Sequence, residues 1–306
     1  MARILVTGSE GTIGRPLLRE LRRRGHEVWG CDLQHQADEQ YYRADVANFR
    51  QLERAFERPY DCVYHLAAEF GRVNGEEYYD TLWQTNVIGT RNVLELQRRS
   101  DFKLIFASSS EIYGDRHEEI LRESIPLNKA IIQQNDYAMT KWINEVQIMN
   151  LEKRFGTPCM RLRFFNAYGP GERYHRYRSV VCLFCYRAMH DLPYTVYEGY
   201  HRVFMYIDDF IPTLANACEN FAPGEVYNVG GADYRSVHEL SDLILGYLGK
   251  DDRFVTYLPE EKHHVQNKRP DISRARLAFG HDPKIRLDEG VPRTIEWMRE
   301  MYPQPV

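Results

Sequence analysis

The chain opens on a strand that runs straight into a glycine turn and then a helix: Arg3-Ile-Leu-Val-Thr-Gly-Ser-Glu-Gly-Thr-Ile-Gly14. The apolar run Ile4, Leu5 and Val6 reads as a strand, and Arg15 to Arg24 as a helix. In that setting each glycine has its own use. Gly8 permits the tight turn, Gly11 lets a pyrophosphate approach the backbone, and Gly14 lets the helix pack close to the strand. The helix N-terminus, with Thr12 and Ile13 at its mouth, offers N–H groups and a partial positive charge to phosphate. This start constrains the fold, the cofactor and the orientation of everything downstream.

The spacing is TGxxGxxG, and three packing glycines at a strand end would look similar. The next strand decides between the two. Val28-Trp29-Gly30-Cys31 is apolar and ends at Asp32, eighteen residues after Gly14. A carboxylate there accepts hydrogen bonds from ribose hydroxyls and repels a 2′-phosphate, which favours NAD over NADP. Arg22, Arg23 and Arg24 close the first helix, where cations suit the dipole.

Strand-like segments at Ile4–Thr7, Glu27–Cys31, Cys62–Leu66, Leu104–Ala107 and Met160–Phe164 alternate with helix-like segments. The helical ones are Ile13–Arg24, Asn48–Glu57, Tyr78–Arg99 and Tyr137–Arg154. The rhythm predicts a Rossmann-like, doubly wound parallel sheet with its ligand at the carboxyl edge of the strands. After Asn166-Ala-Tyr-Gly-Pro170 the loops lengthen and arginines and tyrosines cluster. We expect a cofactor domain over 1–168 and a smaller α/β substrate lobe over 169–306. Two later pieces, near 204–210 and 226–230, are candidates for rejoining the main sheet.

Composition excludes little but points one way. The chain has 306 residues, a net charge of −4 and 43% hydrophobic content, an ordinary balance with no sign of a nucleic-acid or membrane surface. No run reaches transmembrane length, and the immediate entry into a strand argues against a signal peptide. Six scattered cysteines read as reduced thiols of a cytoplasmic protein. The Cys182/Cys185 pair lacks a second pair, so no metal is expected. His263-His264 reads as a bland polar loop.

Tyr137-Ala-Met-Thr-Lys141 places a phenol and an ammonium on one helical face. A neighbouring cation favours phenolate, without which tyrosine, at about 10, is a poor base at neutral pH. About thirty residues earlier, Phe106-Ala-Ser-Ser-Ser-Glu-Ile-Tyr-Gly114 begins at the end of an expected central strand, where a serine hydroxyl can meet a substrate hydroxyl.

With these motifs in place the chain resembles the extended short-chain dehydrogenase/reductase family, specifically its NAD-dependent nucleotide-sugar epimerases and dehydratases. The resemblance runs through TGSEGTIG, Asp32, Asp45-Val46, His65-Leu-Ala-Ala68, Asn86-Val-Ile-Gly-Thr90, SSSEIYG, YAMTK, RFFNAYGPG, RVFMYIDD, YNVGG and KRPDISRA. It implies NAD held by Gly8, Gly11, Thr12, Ile13, Gly14 and Asp32, with Asp45 and Val46 beside the adenine and Leu66, Ala67 and Ala68 lining the cofactor. It implies Tyr137 as base, Lys141 also on the nicotinamide ribose, and Ser109 as the catalytic serine. For a nucleoside-diphosphate sugar it implies Ser109, Ser110, Asn166, Arg202 and Arg269, with Arg176 and Arg178 as further candidates. A homodimer through helices Tyr78–Arg99 and Tyr137–Arg154 is expected by the same analogy.

The resemblance implies oxidation at sugar carbon 4, and the resulting ketone opens three routes: epimerisation, loss of water, or loss of carbon dioxide from a uronic acid. Glu111, two residues after Ser109, separates them. A simple epimerase needs no further acid or base, whereas a carboxylate beside a carbon acid can serve as general base. Ser110 stands where some dehydratases carry Asp. The expectation is a lyase, dehydratase first and decarboxylase second. A 4-epimerase is the alternative, and a non-catalytic NAD sensor a remote one. The nucleotide base and the sugar have no decodable pattern.

Overall fold

A computed structural model describes residues 1–116, 118–231, 233–259 and 267–305. The His263-His264 pair lies outside them. The first half builds β1 (Arg3–Thr7), α1 (Gly14–Arg23), β2 (Glu27–Asp32), β3 (Tyr41–Arg43), α2 (Phe49–Ala55), β4 (Cys62–His65) and α3 (Arg72–Glu77). There follow α4 (Tyr79–Trp83), α5 (Gly89–Ser100), β5 (Lys103–Ser109), α6 (Ile125–Asn128), α7 (Asp136–Phe155), β6 (Cys159–Phe164) and β7 (Ala167–Tyr168). The second half contains α8 (Val180–Met189), β8 (Tyr194–Tyr197), β9 (His201–Tyr206), α9 (Ile207–Glu219), β10 (Val226–Val229) and β11 (Asp233–Ser236). It ends with α10 (Val237–Leu248), β12 (Val255–Leu258), β13 (Asn267–Lys268), α11 (Ser273–Phe279) and α12 (Leu287–Met301).

Seven strands form one parallel sheet in the order β10-β6-β5-β4-β1-β2-β3. Its central strands are apolar on both faces because helices cover both. Ile4, Val6 and Tyr64 pack into one buried cluster, and Leu5, Val63, Leu104 and Phe106 into another. The order reverses between β1 and β4, the point at which a crevice opens outside the strand ends. The motifs at the ends of β1, β2, β4 and β5 therefore lie along one edge.

The expected helix over 78–99 is interrupted. Between α4 and α5 the chain makes one π-helical turn at Gln84–Ile88. Asn86 within that turn is buried. Its Oδ1 accepts from Glu69 N at 2.9 Å, and its Nδ2 donates to Glu69 O at 2.9 Å and to Thr140 Oγ1 at 3.1 Å. The wide turn lets one side chain join the β4 loop to α7, a recurring use of such turns near functional sites.

The two later pieces differ. Val226–Val229 joins the main sheet beside β6, with Val226 opposite Arg161. The stretch near 204–210 does not rejoin it, contrary to expectation. Phe204 lies in β9, which pairs with β7, β11 and β13 in a separate sheet, and α9 begins at Ile207. The backbone supplies the reason: positive φ at Asn166 (33°) and Gly169 (139°) turns the chain off the sheet, and β10 occupies the edge of β6. Among the described residues no helix is long and apolar enough to cross a membrane.

Candidate functional site

The glycine turn follows from contacts a side chain would not survive. Gly8 has φ of +72°, and a Cβ there would stand 2.6 Å from Ala67 N. A Cβ at Gly14 would stand 2.1 Å from Gly8 O, so helix and turn touch backbone to backbone. At Gly11 a Cβ would meet only Gly8 O, at 3.2 Å, leaving the outer side of the turn open. No side chain caps α1 and no acid occupies its first turn among the described residues, so its N-terminal field faces that opening. Such a cradle fits a pyrophosphate. Asp32 ends β2, accepting from Glu10 N at 3.0 Å and Gln34 N at 3.3 Å. Asp45 Oδ1 accepts from Ala47 N at 2.8 Å, and Val46 packs beneath Gly89. Leu66, Ala67 and Ala68 leave β4 alongside Thr7, whose carbonyl accepts from Leu66 N at 3.1 Å. These residues share one edge and fit a dinucleotide.

His65 is not a base here. Burial, with the Lys141 charge beside it, pushes its pKa down to about 3, and Thr7 Oγ1 and Thr90 Oγ1 engage its two nitrogens at 2.8 and 3.1 Å.

The centre of the edge is built by β5 and α7. Asn135, two residues before Tyr137, caps α7 by accepting from Ala138 N at 2.9 Å, which fixes the helix start at Asp136. The Tyr137 phenol faces the Ser109 hydroxyl. Burial pushes the phenol up to about 12; the Ser109 hydroxyl opposes that rise and the nearby Glu111 charge adds to it. Lys141 Nζ donates to Ala107 O at 2.9 Å and lies 5.9 Å from the Tyr137 ring centroid. Burial lowers its pKa from 10.5 to about 8. Burial thus disfavours the charged form of both groups, and a cation bound beside the phenol would favour the phenolate.

The Lys141 shift has a stability consequence with a definite sign. The folded value lies below the unfolded one, so the unfolded chain holds the proton more tightly between them. Stability therefore rises with pH through that window. Lys141→Met is expected to make the cofactor-free protein more stable at pH 7, by up to roughly 3 kcal/mol. The gain should shrink between about pH 8 and 10.5. Denaturant unfolding at several pH values measures this; a variant less stable than wild type at pH 7 would contradict it.

Sequence reasoning placed Glu111 in the site but missed its partner. Lys268 Nζ forms an ion pair with Glu111 Oε1. Lys268 is 1% exposed, so this cation is sealed beneath the carboxylate. Ser110 is buried in the short 3-10 turn between Ser109 and Tyr113. The signal for Lys268 was the KRPD run, in which Lys268 closes β13 and is buried while Arg269, just beyond the strand, is exposed.

The arginines divide into two groups. Arg202 and Arg269 both stand near Tyr234, and the Arg269 guanidinium lies 5.5 Å from that ring. Arg176 is engaged by Glu77 and Tyr177, and Arg178 lies 4.7 Å over the Phe70 ring. These two border an open cavity of about 470 Å³ that Glu69, Asn74, Tyr78 and His175 also line. Asn166 uses its amide to donate to Val203 O at 2.9 Å, which ties β9 to the end of β6.

Comparisons with known proteins identify the family and members that resemble this chain in sequence and fold. The model of the NAD dependent epimerase/dehydratase family matches residues 4–230. A UDP-N-acetyl-alpha-D-glucosaminuronate decarboxylase from Bacillus cytotoxicus is 28% identical, over 98% of this chain and 98% of its own length. A UDP-glucuronic acid decarboxylase 1 from Xenopus tropicalis is 29% identical, over 97% of this chain and 72% of its own. Among solved structures, the UDP-glucose 4-epimerase of Thermotoga maritima with UDP-glucose superposes with a TM-score of 0.88 at 26% identity, covering 98% and 99% of the two chains.

Proposed function

Since the chain belongs to the NAD-dependent epimerase/dehydratase family, we propose that it is a nucleotide-sugar lyase that oxidises carbon 4, decarboxylates a uronic acid and then takes the hydride back at carbon 4. When bound, NAD⁺ supplies the hydride acceptor for carbon 4. Gly8, Gly11, Gly14 and the α1 N-terminus hold its pyrophosphate. Asp32 holds the adenosine ribose, and Lys141 the nicotinamide ribose. Tyr137 takes the proton of the 4-hydroxyl, and Ser109 orients that hydroxyl by hydrogen bonding. Arg202 and Arg269 meet the diphosphate, as guanidinium forks suit phosphate oxygens.

The observation that carries the lyase reading is the Glu111–Lys268 pair beside Tyr137. Epimerisation has no use for a further acid–base pair at this place. Dehydration needs a base at carbon 5 and a proton donor for the leaving hydroxyl. Decarboxylation needs less, because the 4-ketone itself accepts the electron pair left by carbon dioxide. A protonated Lys268, relayed through Glu111, then returns a proton to carbon 5. That economy supports decarboxylation over dehydration, as do the decarboxylases among the similar proteins, and the proposal reverses the order expected from sequence. Dehydration stays as the second reading, with Glu111 as base.

The test is mass spectrometry of UDP-, dTDP-, GDP- and CDP-linked hexoses, N-acetylhexosamines and uronic acids incubated with protein and NAD⁺. Loss of carbon dioxide from a uronic acid is expected, and Glu111→Gln should lower that turnover about a hundredfold while leaving NAD content intact. Loss of water would establish the second reading. A product of unchanged mass, or Glu111→Gln at wild-type rate, would overturn the lyase assignment.

A further inference from the structure

Behind the catalytic trio lies a buried charge cluster that the reaction does not account for. Tyr137, Lys141 and Glu145 stand four residues apart on one face of α7. They engage three successive residues of β5. Tyr137 meets Ser109, Lys141 donates to Ala107 O, and Ser108 Oγ donates to Glu145 Oε1 at 2.5 Å. Glu145 and Arg163 are both fully buried, and their contact is bidentate: Nε to Oε1 at 3.0 Å and Nη2 to Oε2 at 2.8 Å. Arg163 is the sheet partner of Ser108. Its remaining nitrogen, Nη1, donates to Tyr113 OH at 3.1 Å and Glu123 O at 2.9 Å. Tyr113 in turn donates to Asn228 Oδ1 on β10 at 2.6 Å. Arg161 adds a second guanidinium 4.0 Å from Glu145.

We propose that the Glu145–Arg163 pair, acting through Ser108, is a positioning device that holds β5 against α7 in the register at which Ser109 meets Tyr137. The proposal rests on the assignment of Ser109, Tyr137 and Lys141 to carbon-4 oxidation. A helix packed on a strand by apolar contacts alone can slide by fractions of an ångström. A fork fixed at both oxygens, with Ser108 as a third point, cannot. Ser108 immediately precedes Ser109, so any slip at Glu145 appears at the serine–tyrosine contact. Burial alone would raise the Glu145 carboxyl, but Arg163 and the Ser108 hydroxyl hold it below its ordinary value. A buried ion pair is seldom needed for stability, since apolar residues of like volume replace it at little cost. Its worth here is geometric.

The experiment compares wild type with the double variant Glu145→Met/Arg163→Met and with Ser108→Ala, which leaves the ion pair whole. Turnover and the NMR signal of isotope-labelled Tyr137, identified by its loss in Tyr137→Phe, are both read. Both variants are expected to fold and to keep their NAD. Their kcat should fall roughly ten- to a hundredfold with KM little changed. Their Tyr137 signal should move toward its position in Ser109→Ala. Arg163→Lys, which keeps the charge but loses the fork, should fall between. A folded variant with wild-type kcat and an unmoved Tyr137 signal overturns the proposal. The NMR reading needs no substrate, so it decides the matter even if the reaction assignment fails. Should the double variant not fold, an unmoved signal in Ser108→Ala overturns it alone.

Discussion

Tyr137→Phe is expected to lower turnover by about 10³-fold while leaving the melting temperature and NAD content near wild type. The reasoning is local. The ring keeps its packing, and only the hydroxyl facing Ser109 is lost. Glu111 is engaged by Lys268, and neither His65 nor Lys141 can take the place of the phenol as base. His65 is held neutral between two threonines, with its pKa near 3, and Lys141 is committed to Ala107 O at 2.9 Å. The variant should bind the nucleotide sugar normally and stall before carbon 4 is oxidised. Ser109→Ala should act in the same direction with a smaller loss, since a hydrogen bond is removed and the base remains. Steady-state kinetics with product detection by mass spectrometry measures both. A Tyr137→Phe protein with more than a tenth of wild-type turnover would remove the phenol from the mechanism.

The largest expected stability loss is at Arg163→Met alone. Removing one half of a buried ion pair leaves the other half charged and unpaired, at a cost of about 3–5 kcal/mol. Glu145 would lose both fork bonds and keep Ser108, with Arg161 at 4.0 Å as its only other described counter-charge. Tyr113, itself pushed up to about 12 by burial, would lose the Arg163 contact as well. Denaturant unfolding with and without NAD measures the loss. The paired change at Glu145 should restore most of it, because two apolar side chains leave no charge stranded. A single variant within about 1 kcal/mol of wild type would show that water or a shifted Arg161 already compensates Glu145.

What could be read in the sequence was whatever is short-range. Gly11 and Gly14 act through contacts with the Gly8 carbonyl within the same turn, so their spacing carries their roles; Gly8 itself meets Ala67, but the turn it makes is local, and Asp32 follows at the next strand end. The Tyr137–Lys141 spacing is one helical turn, and Ser109 ends a strand whose apolar run is plain. What could not be read joins residues far apart in the chain. Glu111 and Lys268 are separated by 157 positions, and no local pattern links them. Glu145 and Arg163 look like surface charges on a helix and a strand, because burial of a charge shows only once its partner is found. The break in the helix over 78–99 arises from Asn86 reaching Glu69 and Thr140, a tertiary choice that overrides helical periodicity. The misplaced stretch near Phe204 has the same origin. Its strand character was legible, but its neighbours depend on the turn at Asn166.

The central claim is that carbon 4 of the sugar is oxidised and later restored. The most direct measurement is a rapid quench within the first turnover, using a nucleotide uronic acid carrying deuterium on carbon 4. Mass spectrometry of the released cofactor is the readout. The account predicts deuterium on reduced nicotinamide during that turnover and its loss from the cofactor as product forms. Product forming while the cofactor stays oxidised and unlabelled would contradict it.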